Sequence, residues 1–172
     1  MLITEEYRQK NIALHAEKLA NFGGKAEKRF DAVKGFLEEY KCRTVLDYGC
    51  GKGGLVRALR KDGIEARGYD PCFEPYMAEP RPAEFVVCYE GPEHWEEECV
   101  DDVLAHVASL TNKAAWVVTA LRESGDKFAD GSNAHVCIHD GDWWLEKFRQ
   151  HFPVVKIRLH REPKVLDVIC LK

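Results

Sequence analysis

The sequence predicts an α/β fold built on an open, mostly parallel sheet, and three observations point there. A short apolar run, Thr44-Val45-Leu46, ends in Asp47 and passes through Gly49, Gly51, Gly53 and Gly54 into a helical stretch, Leu55 to Arg60. Strand, glycine turn and helix make a ligand cradle at the carboxyl edge of such a sheet. A second strand follows over Ile64 to Tyr69 and ends in another acid, Asp70. The chain closes with two apolar runs, Val154 to Leu159 and Val165 to Leu171, which flank H-R-E-P-K and read as an antiparallel hairpin.

Composition sets the class. The chain has 172 residues, 45% of them hydrophobic and 31% charged, as expected of one globular domain with a substantial core. A net charge of −4 gives no overall basic signature for nucleic acid, although a local patch stays open. Seven cysteines are odd in number and scattered, with no C-x-x-C pair, which argues against a disulfide framework or zinc site. They fit a reducing, cytoplasmic setting. No run approaches a membrane span, and the N-terminus is too charged for a secretory apolar region.

In chain order, residues 5 to 20 are charged and helix-prone, with Tyr7, Leu14 and Leu19 as a partial apolar stripe. Asn21 to Gly24 breaks the pattern, and Gly23, Gly24 and Lys25 suggest a flexible lid. Phe30, Val33, Leu37 and Tyr40 then fall on one helical face. These helices are expected to pack over the sheet or close the ligand mouth. Pro71, Pro75, Pro80 and Pro82 exclude a regular helix after the second strand, so the chain should run directly into a strand at Glu84 to Tyr89. The sheet is therefore expected to be truncated at that edge. Val100, Val103, Leu104, Val107 and Leu110 form a helical stripe, and the acids before it suit a first helical turn. Ala114 to Ala120 reads as a strand. Leu121 to His139 is a long connection of the kind that often carries function. Asp142 to Gln150 is a helix, its Trp143, Trp144 and Phe148 read as core. The cluster Lys156, Arg158, Arg161 and Lys164 reads as a solvated outer face.

The glycine turn satisfies G-x-G-x-x-G at Gly49, Gly51 and Gly54, which leaves a choice of cofactor. Asp47 precedes the first glycine by two residues, where a carboxylate would repel a pyrophosphate but could face an amino-acid ammonium. Asp70 lies near the interval at which an acid meets ribose hydroxyls. V-L-D-Y-G-C-G-K-G, this second acid, the E-H of Glu93-His94 and the later D-G-S-N-A-H and W-W-L together resemble small class I methyltransferases of bacteria and their phages.

The resemblance implies a Rossmann-like three-layer sandwich with a C-terminal antiparallel hairpin, of which this chain lacks the third strand. It implies one methyltransferase domain over 1–172, with 1–41 a helical cap on a core at 42–172. It also implies S-adenosyl-L-methionine as cofactor. The expected cofactor residues are Asp47, Tyr48, Gly49, Cys50, Gly51 and Gly53, then Asp70 and Pro71, then Tyr89 and Glu90. In relatives the residues around the third strand help to hold the adenine; here Cys72 to Arg81 would have to supply that contact. Where many relatives read D-V-L-E-H, this chain reads Glu90-Gly91-Pro92-Glu93-His94.

Methyl transfer is an in-line displacement that depends mainly on positioning, and a hydroxyl acceptor also needs a base. His94 is the best placed base, Glu93 its orienter or a metal ligand, and His135 the second candidate. Each histidine also has a plain structural reading as a hydrogen-bonded residue, the stronger of the two for His135. No metal is assigned, because an adjacent E-H pair is poor evidence for one. The expected activity is methylation of an oxygen or nitrogen of a small molecule, with nucleic acid still open and no membrane partner. A non-catalytic S-adenosylmethionine-binding module and an NAD-type dinucleotide protein are the alternatives.

Overall fold

A computed structural model describes residues 1–17 and 29–172. The expectations for Leu19, for the break at Asn21 to Gly24 and for a lid at Gly23 to Lys25 lie outside the described residues. Helices α1 (Glu5–Glu17) and α2 (Phe30–Glu39) precede β1 (Thr44–Tyr48), α3 (Gly54–Lys61), β2 (Glu65–Tyr69) and β3 (Ala83–Tyr89). Then follow α4 (Val100–Leu110), β4 (Thr111–Ala120), α5 (Gly141–His151), β5 (Val154–Arg161) and β6 (Val165–Leu171).

The six strands form one sheet in the order β2-β1-β3-β4-β6-β5. The first four in that order are parallel, while β6 runs antiparallel to both β4 and β5. After β2 the proline-rich segment makes one short 3-10 turn, Glu74–Tyr76, and goes straight into β3. No strand lies outside β2 in the described residues, so the sheet is truncated there.

Strand side chains alternate between two faces, as the period of two requires. Leu46, Val86, Cys88, Ala115 and Val117 pack with α4 and α5 on one side. Val45, Phe85, Val87, Ala114 and Trp116 pack with α2 and α3 on the other. Helix α5 sends Trp144 and Phe148 into the first core, whereas Trp143 is half-buried and stacks on His139 at 3.8 Å. Strand β5 is largely exposed, and its Arg158 pairs with Asp167 on β6 at 3.1 Å.

Helix α1 does not join either sheet core. Its Tyr7 and Leu14 pack with Phe128 and Ala134 from the long connection after β4. Thr4 donates its amide and hydroxyl to the Glu96 carboxylate at 2.7 and 2.6 Å, and Arg8 Nε donates to the Pro71 carbonyl at 2.9 Å. The helix is thus tied to both sides of the sheet's carboxyl edge. All seven cysteines are buried and free of disulfides.

Candidate active site

The carboxyl ends of β1, β2, β3 and β4 open into one cavity of about 1090 Å³, which α1 roofs with Tyr7, Asn11 and His15. The glycine turn forms its floor. Gly49, Gly51 and Gly53 take φ of +76°, +52° and +69°, the left-handed region that glycine enters at no steric cost. Two amides of the turn, Gly49 N and Cys50 N, donate to the Tyr69 carbonyl at 2.8 and 3.0 Å, which fastens the turn to the end of β2.

Asp70 completes that fastening. Its Oδ2 accepts from Gly51 N at 2.8 Å and its Oδ1 from Cys72 N at 2.9 Å. Each oxygen keeps a second lone pair, since an ionised carboxylate has about four acceptor sites. Asp47 is 7% exposed at the end of β1. Burial pushes its carboxyl up to about 7, Arg29 nearby draws it down, and Asp70 adds to the rise.

The next strand end is strained. Glu90 has φ +51°, and its carboxylate meets Arg29 at 3.0 Å. The same guanidinium lies 3.6 Å above the Tyr89 ring, so one arginine clamps both residues. The Gly-Pro pair that follows has a steric reason. A Cβ on Gly91 would come 2.9 Å from Cys88 Sγ, and Pro92 opens the short 3-10 turn Pro92–His94.

That turn presents Glu93 and His94. Glu93 is fully buried, and neither carboxyl oxygen has a hydrogen-bond partner among the described residues. Burial pushes its carboxyl up to about 8, tempered by its own backbone amide, then by the Ala120 amide and Thr119 hydroxyl, none of which meets hydrogen-bond geometry, while Glu90 adds to the rise. The backbone carbonyl of Glu93 accepts from Val136 N at 2.9 Å and Cys137 N at 3.1 Å, docking the long connection against the turn.

His94 Nδ1 lies 2.8 Å from the Ala134 carbonyl, and His135 Nδ1 lies 2.6 Å from the Arg122 carbonyl. A carbonyl only accepts, so each Nδ1 carries a proton, and in the neutral ring Nε2 is left as the acceptor. The rings meet edge to face at 4.8 Å, and His135 Nε2 lies 4.0 Å from Glu93 Oε1. Burial holds His94 down to about 4, with His135 beside it pulling the same way.

The structure therefore brings Asp47, Tyr48, Gly49, Cys50, Gly51, Asp70, Pro71, Tyr89, Glu90, Glu93, His94 and His135 to one cavity. Gly53 does not border the cavity. It caps α3 at φ +69°, and a Cβ there would overlap the Tyr76 ring, so backbone conformation and packing both call for a glycine. Of the Cys72 to Arg81 segment, Cys72 alone lines the cavity, while Tyr76 turns back against Gly53 and Gly68. Sequence reasoning missed Arg29, Arg122, Asn11 and His15. Asn11 and His15 continue the helical spacing from Tyr7, a signal that was available; a single arginine at a helix start gives none.

A family model for a methyltransferase domain matches residues 5–158. No curated protein matches the sequence significantly. Among solved structures, an O-methyltransferase family protein from Burkholderia thailandensis superposes with TM-score 0.63 at 16% identity, covering 93% of this chain and 59% of that one. Magnesium protoporphyrin IX methyltransferase from Synechocystis PCC 6803 with bound SAH gives 0.58 at 14% identity, covering 88% and 87%. A SAM dependent methyltransferase from Archaeoglobus fulgidus gives 0.57 at 18%, covering 85% and 97%. This chain thus spans less than two thirds of the first of these proteins and most of the other two.

Proposed function

We propose that this chain, which belongs to the methyltransferase domain family, methylates an oxygen or nitrogen of a small molecule with S-adenosyl-L-methionine as donor. The observation that carries the reading is the single cavity: the Asp47–Asp70 edge and the Glu93–His94–His135 group open into the same space. A donor and an acceptor must share one such space for in-line transfer, and holding them there can supply much of the acceleration.

Each strand end has a role in this reading. Asp47 faces the ammonium of the cofactor's amino-acid end, over a turn whose glycines let the ligand approach the backbone. Asp70 takes the ribose hydroxyls on the lone pairs that Gly51 and Cys72 leave free. Tyr48, Cys50, Pro71, Tyr89 and Glu90 shape the walls. On the acceptor side, His94 and His135 lie together beside Glu93. One of them accepts the acceptor's hydrogen bond through Nε2 and takes up its proton as the S–CH3 bond breaks and the new bond to the acceptor forms.

A small acceptor fits the size of the space. Pockets for one small ligand run to roughly 1,000 Å³ at most, so a cavity of about 1090 Å³ has room for the cofactor beside a small acceptor. No helix among the described residues is long and apolar enough to cross a membrane. Calorimetry with S-adenosylmethionine, its demethylated product and NAD tests the cofactor assignment, and binding of NAD alone would overturn it. A screen of small hydroxyl and amine compounds with methyl-labelled cofactor tests the acceptor class. Label passing into polymers and into no small molecule would overturn that part.

A further inference from the structure

The group formed by Glu93, His94 and His135 has features that proton handling does not require. One ligand atom from each, two imidazole nitrogens and a carboxylate oxygen, lies within 4.8 Å of the other two. Glu93 is fully buried, and neither oxygen is hydrogen-bonded among the described residues, with His135 Nε2 4.0 Å from Oε1. A buried carboxylate in that state is costly unless a proton or a cation neutralises it. Both histidines spend Nδ1–H on backbone carbonyls, at 2.8 and 2.6 Å, which leaves Nε2 as the free donor atom of each ring. Metal-binding histidines are oriented by an outer-shell acceptor in this way. The three donors come from two segments, and the bonds from Val136 and Cys137 to the Glu93 carbonyl lock those segments together.

We propose that Glu93, His94 and His135 bind a divalent first-row transition cation, which holds the methyl acceptor by its oxygen. Two imidazoles with one carboxylate suit zinc, manganese, iron or cobalt better than magnesium or calcium, which prefer oxygen donors. Three protein donors leave coordination positions open, the pattern of catalytic rather than structural sites, and here all three donor residues border the cavity. Metal–ligand bonds of about 2.0–2.2 Å require donors closer than 4.8 Å, so loading draws the three side chains together by rotation of their terminal torsions.

The proposal rests on the methyltransferase reading and narrows its acceptor to a hydroxyl compound. A hydroxyl bound to the cation gives up its proton more readily, and because both Nε2 atoms are then occupied as ligands that proton leaves to solvent, which replaces direct uptake by a histidine in the metal-free reading. The resulting oxygen attacks the methyl carbon of the sulfonium: the O–C bond forms, the S–C bond breaks, and the sulfur retains the electron pair as a neutral thioether.

The test uses the full chain, stripped of metal with a chelator and titrated with Co2+ under visible absorption, with Zn2+ as competitor. One saturable equivalent is expected, without the charge-transfer bands of thiolate ligation that any of the seven cysteines would give. E93Q and H135A should each weaken it by at least about 100-fold, since even an outer-shell partner typically costs 10- to 100-fold. Circular dichroism and S-adenosylmethionine binding check that both variants fold. Should H135A not fold, E93Q and the wild-type Co2+ spectrum decide. No saturable Co2+ site, thiolate bands in the wild type, or unchanged affinity in the folded variants would overturn the proposal. Cation binding with no binding of S-adenosylmethionine would leave the site standing and remove the transferase reading; the reverse result would do the opposite.

Discussion

Asp70 Oδ2 accepts the amide hydrogen of Gly51 at 2.8 Å, so the acid that ends β2 holds the crest of the turn that follows β1. The second oxygen holds Cys72 N at 2.9 Å in the same manner. A residue expected from its spacing to meet a ribose also fixes the floor on which the ribose would lie. Asparagine offers one carbonyl oxygen and would set an NH2 against the other amide. Asp70→Asn should therefore destabilise the ligand-free protein by about 1.5–3 kcal/mol, the usual worth of a hydrogen bond to a charged group. It should also weaken S-adenosylmethionine and its demethylated product equally. Thermal melting and calorimetry on the one variant read both effects, and an unshifted melt would show that the bridge carries no stability.

Asp47 should make cofactor binding depend on pH. Burial raises its carboxyl from an ordinary value near 4 to about 7. Between these values the folded chain holds a proton that the unfolded chain has released, so ligand-free stability falls as pH rises across that window. The cofactor's ammonium favours the ionised form, so affinity should climb by roughly tenfold per pH unit up to about pH 7 and then level. Asp47→Asn should flatten both trends, giving a protein that is more stable at neutral pH and a poorer binder. A wild-type affinity independent of pH between about 5.5 and 8 would refute the link.

Arg29 sets where that dependence falls. It draws the Asp47 carboxyl down while pairing with Glu90 and covering Tyr89. Arg29→Ala should shift the midpoint of the affinity–pH curve upward, and Arg29→Lys should return part of the shift, because a lysine restores the charge without the planar contact. Titrations of the two variants against wild type would read this directly, and coincident midpoints would remove Arg29 from the account.

Two glycines of the same turn should respond differently to a methyl group. Gly49 at φ +76° has open space where a Cβ would stand, so Gly49→Ala should cost about 1–2 kcal/mol of backbone strain. Gly53 at φ +69° carries similar strain, and its Cβ would overlap the Tyr76 ring. Gly53→Ala should therefore melt lower than Gly49→Ala, and the opposite order would refute the packing role.

Turnover should separate from cofactor binding at the acceptor side. His94→Ala should lower turnover by about 10²–10⁴-fold while S-adenosylmethionine affinity hardly changes. Joint loss of stability and cofactor affinity would instead mark His94 as a support for the Ala134 segment.

The sheet was legible wherever local sequence decides structure. β1, the glycine turn and β2 announce themselves through apolar runs that stop at acids and glycines, and the proline cluster after β2 foretells the missing strand. β4 was harder: it begins at Thr111 rather than Ala114, because α4 runs into it without a turn and Asn112 and Lys113 are exposed. The cofactor edge depends on residues near one another in sequence. The acceptor side does not. His135 reaches Glu93 because Phe128 and Ala134 pack on Tyr7 and Leu14 across most of the chain, and no spacing rule encodes that contact. Arg29 was invisible for the same reason, since its partners Tyr89 and Glu90 lie far along the chain.

The seven buried thiols give the molecule a built-in chemical clock. Thiolate is the nucleophile toward alkylating reagents, and burial raises Cys72, Cys137 and Cys170 to about 12, leaving almost no thiolate near neutrality. A reagent must therefore wait for the chain to open around each sulfur, and the labelling rate at each site reports the local opening equilibrium there. Cys72 borders the cavity and Cys170 lies in β6 within the sheet core, so the two sample different regions. Ligands that bind at the strand ends should slow labelling of Cys72 far more than that of Cys170, which turns the cysteine pattern into a map of where a bound ligand tightens the fold.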